Sequence, residues 1–130
     1  MVRILFDSGA TGSFIDKQHT KRLRVRNTTQ NIWQTGNGKV STCKKVKTHL
    51  ILPELYHERV IEHDFNVLEH PLGYDVIMGT DLMSSLGINI NFEQGEIQWQ
   101  DAAMPFKSCD ATTETAFHIE DTDAIKASFS

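Results

Sequence analysis

The sequence predicts a mostly β domain with two short helices. Three observations carry that prediction. Apolar and polar residues alternate over short runs, as in Ile88, Ile90 and Phe92 set against Asn89 and Asn91, the period-two mark of a half-buried strand. Turn residues sit between such runs at Gly36-Asn37-Gly38 and Glu93-Gln94-Gly95, where Asn and Gly accept the positive φ that hairpins need. A clear helix start and stop frame Thr80 to Gly87, with Thr80 as N-cap and Gly87 just past the end.

In chain order, Val2-Arg3-Ile4-Leu5-Phe6 is a short β-type run that ends at Asp7-Ser8-Gly9. Ser13 is expected to cap a short helix or helical turn over Phe14 to Leu23, with Asp16 three residues on. Ile32 to Val40 makes the first hairpin, and a long strand follows to Leu50-Ile51-Leu52, where Pro53 ends it or leaves it on an edge. Arg59 to Val67 is a further strand. Tyr74 to Met78 is a compact strand that stops at Gly79, ahead of the helix over Asp81 to Leu86. Ile88 to Phe92 and the return run through Ile97 and Trp99 form the last hairpin. Residues 108–130 lack strand periodicity and are expected to be an acidic linker or tail, with a helical tendency near Ala124 to Ala127.

Bulk composition narrows the function classes. At 130 residues the chain holds one domain. No apolar run approaches the ~20 residues of a membrane helix, and no basic-then-apolar leader opens it, so the expectation is a soluble cytoplasmic protein. Residues 1–107 carry 12 Lys and Arg against 12 Asp and Glu, and residues 108–130 carry one Lys against five acids. A balanced body with an acidic tail gives no electrostatic footprint for nucleic acid or membrane. Cys43 and Cys109 are expected as free thiols. The six histidines form no metal-binding spacing, and no metal is expected.

The chemistry-bearing signal is Phe6-Asp7-Ser8-Gly9-Ala10-Thr11 after an apolar strand, followed later by Val76-Ile77-Met78-Gly79 before a helix. With the hairpin at Gly36-Asn37-Gly38 between them, these blocks resemble the retropepsin family over residues 2–107. Tyr74 to Met83, Gly87-Ile88 and Trp99 look in particular like Ty3/gypsy-type LTR retrotransposon proteases, and Ala116-Phe117-His118-Ile119-Glu120-Asp121 looks like the spacer before reverse transcriptase in such Gag-Pol polyproteins. The resemblance implies a closed β-barrel subunit with one short helix, working as a homodimer. It implies a protease domain over 1–107, lacking its N-terminal strand because six residues precede Asp7, and a tail over 108–130. Many relatives carry an Arg at the position of Thr80, paired with an acid at the position of Thr11. Both partners are neutral here, and a hydroxyl contact is the expected replacement.

Residue types match that implied chemistry. Hydrolysis of a peptide needs a nucleophilic water and a protonated leaving amine. Two carboxylates sharing one proton supply both, because like charges ~3 Å apart resist double ionisation. The chain has one Asp-Ser-Gly, so the second carboxylate comes from a second copy. Asp7 is the expected catalytic residue, with Ser8 and Gly9 as its scaffold. By resemblance, the Ser8 hydroxyl bonds across the dimer. Gly9, Ala10 and Thr11, with the flap residues Thr35, Gly36, Asn37 and Gly38, are the expected substrate-binding residues. No cofactor is needed, and the expected partners are a second copy and a polypeptide, in the cytoplasm or inside virus-like particles.

Other readings fare worse. Gly9-Ala10-Thr11-Gly12 superficially suggests a dinucleotide loop, but the third glycine position is Phe14 and the downstream hairpins contradict a βαβ unit. An Asp-x-Asp phosphatase motif is excluded because position 9 is Gly. The lysines and arginines around Lys17 to Arg26 and Lys44 to Lys47 are expected to be solvated faces, not an RNA site. Leu82, Met83 and Leu86 are expected in the core, and Trp33 and Trp99 as core or interface anchors. The rival from another class is a non-catalytic or domesticated dimerisation or peptide-binding module on the same fold.

Overall fold

The computed structural model describes residues 2–36, 38–52, 57–105, 112–119 and 124–129. Among the described residues the fold is mostly β, as the sequence predicts, and has one α-helix, as the resemblance implies, where the sequence pattern suggests two short helices. The strands are β1 (Val2–Phe6), β2 (Phe14–Asp16), β3 (Val25–Thr35), β4 (Gly38–Leu52), β5 (His57–Leu68), β6 (Val76–Met78), β7 (Ile88–Asn91), β8 (Glu96–Trp99), β9 (Ala102–Pro105), β10 (Thr112–Ile119) and β11 (Ala124–Phe129), and the helix is α1 (Thr80–Leu86). They make two sheets. One has eight strands in the order β11-β10-β1-β6-β2-β5-β4-β3, and the other is β7-β8-β9. An additional β11–β4 pairing curls the larger sheet back on itself. The division follows from α1, which with Gly87 turns the chain out of the large sheet before β7 begins.

Two expectations about helices are corrected. Phe14 to Leu23, expected as a short helix or helical turn, opens as a strand and has only the helical turn. Phe14 and Ile15 are fully buried and lie between β5 (parallel, Phe14↔Asn66) and β6 (antiparallel, Phe14↔Ile77). A strand covered on both faces has no alternation to read, and pairing on both sides overrides local helix preference. Only Lys17–His19 turns helically, as a 3-10 turn capped by the Asp16 side chain. Ala124 to Ala127, given a helical tendency, lies in β11, and Thr112–Ile119 is also a strand. β10 pairs with β1 and β11 with β4. Thr112, Thr113, Thr115, Ile119 and Ile125 are β-branched, which suits the pleat, and the edges of β1 and β4 supply partners.

The parts that position the site follow the sequence closely. β3 and β4 form the long hairpin, closing at Thr35↔Gly38, with Gly38 at φ 105°. β1 and β6 run parallel with Phe6 opposite Met78, so Asp7 and Gly79 emerge together from neighbouring strand ends. α1 begins one residue earlier than expected: Gly79 holds the N-cap position and Thr80 is the first helical residue. Gly87 ends it at φ 76°, its amide reaching back to Met83 and Ser84 carbonyls.

The main core gathers Ile4, Phe6, Ile15, Phe65, Leu82 and Trp99 among others. Trp99 is fully buried and its Nε1–H donates to the Leu86 carbonyl at 2.9 Å. That bond satisfies the one polar atom of the indole, so its apolar burial, worth about 1.5–3 kcal/mol for a large side chain, comes without a desolvated donor. It also ties β8 to the end of α1. A second cluster of Ala10, Phe14, Leu68 and Ile77, with Trp33 and Tyr74 against it, lies under the Asp7 loop.

Candidate active site

Asp7 is the first residue past β1. Its amide donates to the Met78 carbonyl at 2.9 Å, and its carbonyl accepts from the Ala10 amide at 3.1 Å. The strand pairing thus continues one residue beyond Phe6 and then turns sharply. Asp7 is 8% exposed. Its Oδ1 accepts from the Gly9 amide at 2.9 Å, and its Oδ2 accepts from the Gly36 amide at 2.8 Å. Both donors belong to glycines for a spatial reason. A Cβ on Gly9 would stand 3.2 Å from Oδ1, and one on Gly36 would stand 3.0 and 3.1 Å from the two oxygens. A side chain at either position would crowd the carboxylate, which would have to give by a few tenths of an ångström.

The hairpin tip is held over Asp7 by its own base. The Thr11 amide donates to the Gln34 carbonyl at 3.1 Å. Trp33 packs edge-on against Phe14 with ring centroids 6.1 Å apart, and its Nε1–H donates to Thr42 Oγ1 at 2.8 Å. The Trp33 ring covers Gly12 so closely that a Cβ there would meet it at 2.8 Å. Thr35 is buried, and its hydroxyl donates to the Gly38 carbonyl across the turn at 2.7 Å. Asn37, expected at the tip, lies outside the described residues.

The second half of the site is built on Gly79. Its backbone passes so near the Asp7 loop that a Cβ would sit 2.1 Å from the Gly12 carbonyl oxygen and 2.8 Å from that of Ala10. Thr80 then bonds the Ala10 carbonyl twice, through its amide at 2.9 Å and its hydroxyl at 3.1 Å. The hydroxyl expected to cap the helix therefore joins helix and loop instead, and it reaches Ala10 rather than Thr11. The Gly79 amide donates to Ser13 Oγ at 2.9 Å, and Ser13 Oγ donates to Asp81 Oδ1 at 2.8 Å. The same Asp81 oxygen accepts from the Leu82 amide at 2.8 Å, and Oδ2 lies 3.3 Å from His63 Nε2. Burial works to raise the Asp81 pKa, but the hydrogen bonds from His63, Ser13 and the Leu82 amide outweigh it and hold the carboxyl below its ordinary value. Beneath the loop, Asn66 donates to the Ser13 carbonyl through both its amide at 3.0 Å and its Nδ2 at 3.1 Å.

The structure brings Asp7, Gly9 and Gly36 into direct contact and leaves other expected residues in distinct settings. Ala10 is fully buried in the second cluster. Ser8, Gly9 and Thr11 are exposed. Ser8 lies on a groove of about 360 Å³ with Thr80, Met83, Ile88 and Phe92. Ser13, Asp81 and His63 were missed as site residues, and sequence carries little signal for them. Ser13 and Asp81 are 68 positions apart, and only the pairing of β1, β2 and β6 makes them neighbours. Among the described residues no three His, Cys, Asp or Glu side chains gather where they could hold a metal ion, and no helix is long and apolar enough to cross a membrane. Cys43 is exposed and free, while Cys109 lies outside the described residues.

Comparison with known proteins agrees with this geometry. A family model described as aspartyl protease matches residues 1–90. No curated protein matches the sequence significantly. Among solved structures, the chain is similar in fold to the retroviral protease-like domain of Ddi1 from Leishmania major, at a TM-score of 0.50 and 16% identity, covering 83% of this chain and 82% of that one.

Proposed function

Because this chain belongs to the aspartyl protease family, we propose that it is the subunit of a homodimeric aspartic endopeptidase, with Asp7 as its catalytic residue. The observation that carries the reading is the setting of Asp7: a nearly buried carboxyl at a strand end, its oxygens facing two glycine amides, under a long hairpin. A single carboxyl cannot act as base and acid together, so the reading needs a second copy. Ser8 supports that, standing exposed beside the groove that Phe92 borders with 65% of its surface exposed.

In the dimer, two Asp7 carboxyls share one proton. The ionised one takes a proton from water, and the neutral one donates to the carbonyl oxygen of the scissile bond. The pair titrates as a unit. Gly9 and Thr11 form the wall on one side of the substrate, with Ala10, expected there too, buried beneath them, and Thr35 to Gly38 form the flap that pairs with an extended peptide backbone and excludes water. For water to reach Oδ2, Gly36 gives up its bond to Asp7, and its amide is then available to a peptide carbonyl. We assign the substrate to a Gag-Pol-like polyprotein of a Ty3/gypsy-type LTR retrotransposon, processed in the cytoplasm or in virus-like particles, with residues 1–107 as the protease and 108–130 leading toward reverse transcriptase after adding β10 and β11 to the protease sheet. The support for that context is the sequence of the block from Tyr74 to Gly87.

One observation favours the second reading, a non-catalytic peptide-binding or dimerisation module. Gly36 caps Asp7 at 2.8 Å, where a resting subunit would hold its own carboxyl closed. The test is cleavage of a peptide library at about pH 5–6 by the 130-residue chain beside its Asp7→Asn variant, with pepstatin as a third arm. The expected result is activity that rises more steeply than linearly with protein concentration and disappears in Asp7→Asn and with pepstatin. Cleavage that survives Asp7→Asn would refute the assignment, and no cleavage at any concentration would favour the module.

A further inference from the structure

We propose that Asp81 is a positioning residue for the Asp7 loop, acting through the Ser13 hydroxyl on Gly79. The proposal rests on the protease reading for its kinetic consequence but not for its geometry. A serine hydroxyl has one proton to give. Ser13 gives it to Asp81 at 2.8 Å, so its lone pairs are left to face the Gly79 amide at 2.9 Å. The carboxylate therefore sets the direction of the hydroxyl, and the hydroxyl sets the position of Gly79. Ser13 is fully buried, which leaves no solvent to replace either bond.

From Gly79 the constraint passes to the catalytic carboxyl in two short steps. Thr80 holds the Ala10 carbonyl with its amide and hydroxyl, and the Ala10 amide holds the Asp7 carbonyl. Gly79 also fills the space against Gly12 and Ala10 so closely that a shift of its backbone moves the loop with it. At its far end Asp81 is braced by His63, which stands T-shaped against Phe65 with ring centroids 5.0 Å apart. The chain of contacts thus runs from β5 through α1 to the residue after β1.

Two simpler accounts are weaker. Helix capping explains the Leu82 amide bond to Asp81, but not the bonds to Ser13 and His63. A Ser-Asp-His nucleophile arrangement fails because the Ser13 hydroxyl donates to the carboxylate and not to the histidine, and because it is closed to solvent.

The experiment compares Ser13→Ala, Asp81→Ala, the double variant, Ser13→Thr and Asp81→Asn with the native chain. Cleavage kinetics and amide hydrogen exchange are both read well below the melting temperature. Loss of positioning is expected to lower kcat on the order of 10- to 100-fold in each alanine variant, with KM nearly unchanged. The double variant should be no slower than the worse single, because both break one chain of contacts. Ser13→Thr and Asp81→Asn, which keep the hydroxyl and an acceptor, should recover most of the rate. Exchange at the Gly79, Thr80 and Ala10 amides should quicken in the alanine variants while the β3–β4 hairpin stays protected. Unchanged kcat, additive losses in the double variant, or unchanged exchange at those amides would overturn the proposal. If the native chain cleaves nothing, the protease reading fails, and exchange alone decides this one. If Asp81→Ala does not fold, the Ser13→Ala and Ser13→Thr pair carries the same comparison.

Discussion

Replacing Gly79 by Ala puts a methyl group where the structure has the Gly12 and Ala10 carbonyls. The backbone of Gly79 is extended, at φ −91° and ψ −174°, a conformation open to any residue. The demand for glycine is therefore one of space. The new Cβ would lie 2.1 Å from the Gly12 oxygen and 2.8 Å from the Ala10 oxygen, against an ordinary contact of about 3.5 Å. Both neighbours are backbone, so relief requires the loop or the start of α1 to retreat by roughly an ångström. That retreat breaks two backbone-amide bonds, Gly79 to Ser13 and Thr80 to Ala10, each worth about 1 kcal/mol net. Overpacking adds about 1–3 kcal/mol. The sum is about 3–5 kcal/mol, a large part of the 5–15 kcal/mol that holds a domain folded. Urea unfolding measures it: the midpoint should fall sharply with an unchanged m-value, and peptide cleavage should be lost even where the variant remains folded. A destabilisation below about 1 kcal/mol with native activity would refute the reasoning, because it would show that the loop moves aside freely.

Gly87→Ala tests the opposite case. Nothing stands within 4 Å of the added methyl, but φ is 76°, so the cost is conformational, about 1–2 kcal/mol, and cleavage should be unaffected; a loss of activity at full folding would contradict it. Acid stability tests the Asp81 contacts. A carboxyl held below its ordinary value of 3.8 contributes stability that is fully present above the unfolded-state value and is lost as pH falls through the lower folded-state value. The native chain should therefore lose stability more steeply than Asp81→Asn as pH drops below 3.8, read as urea midpoints across pH. Parallel curves would show that Asp81 is not stabilised in its charged form.

Local chemistry was legible where it acts over a few residues. Gly38 takes the positive φ that its place in the hairpin suggested, and Gly87 stops α1 as its place in the sequence foretold. Ile88 and Ile90 alternate because β7 has one covered face, and its register with β8, Ile88↔Trp99, follows from the turn between them. Phe14 and Ile15 misled for the opposite reason: β5 and β6 flank them, and nothing in a two-residue apolar run reveals neighbours fifty and sixty positions away. β9, β10 and β11 were missed because their pairing partners, not their own patterns, make them strands.

The amino-acid sequence by itself determined the Asp7-Ser8-Gly9 turn after a strand, the hairpin that follows it and the helix between Gly79 and Gly87, since each depends on φ preferences, capping and alternation within a short window. Only the tertiary structure decided that the Gly36 amide rests on Asp7, that Thr80 bonds Ala10 and that Ser13 bonds Asp81. Those contacts join residues 29, 70 and 68 positions apart. Their geometry is set by strand register, and register is a property of the paired chain segments together.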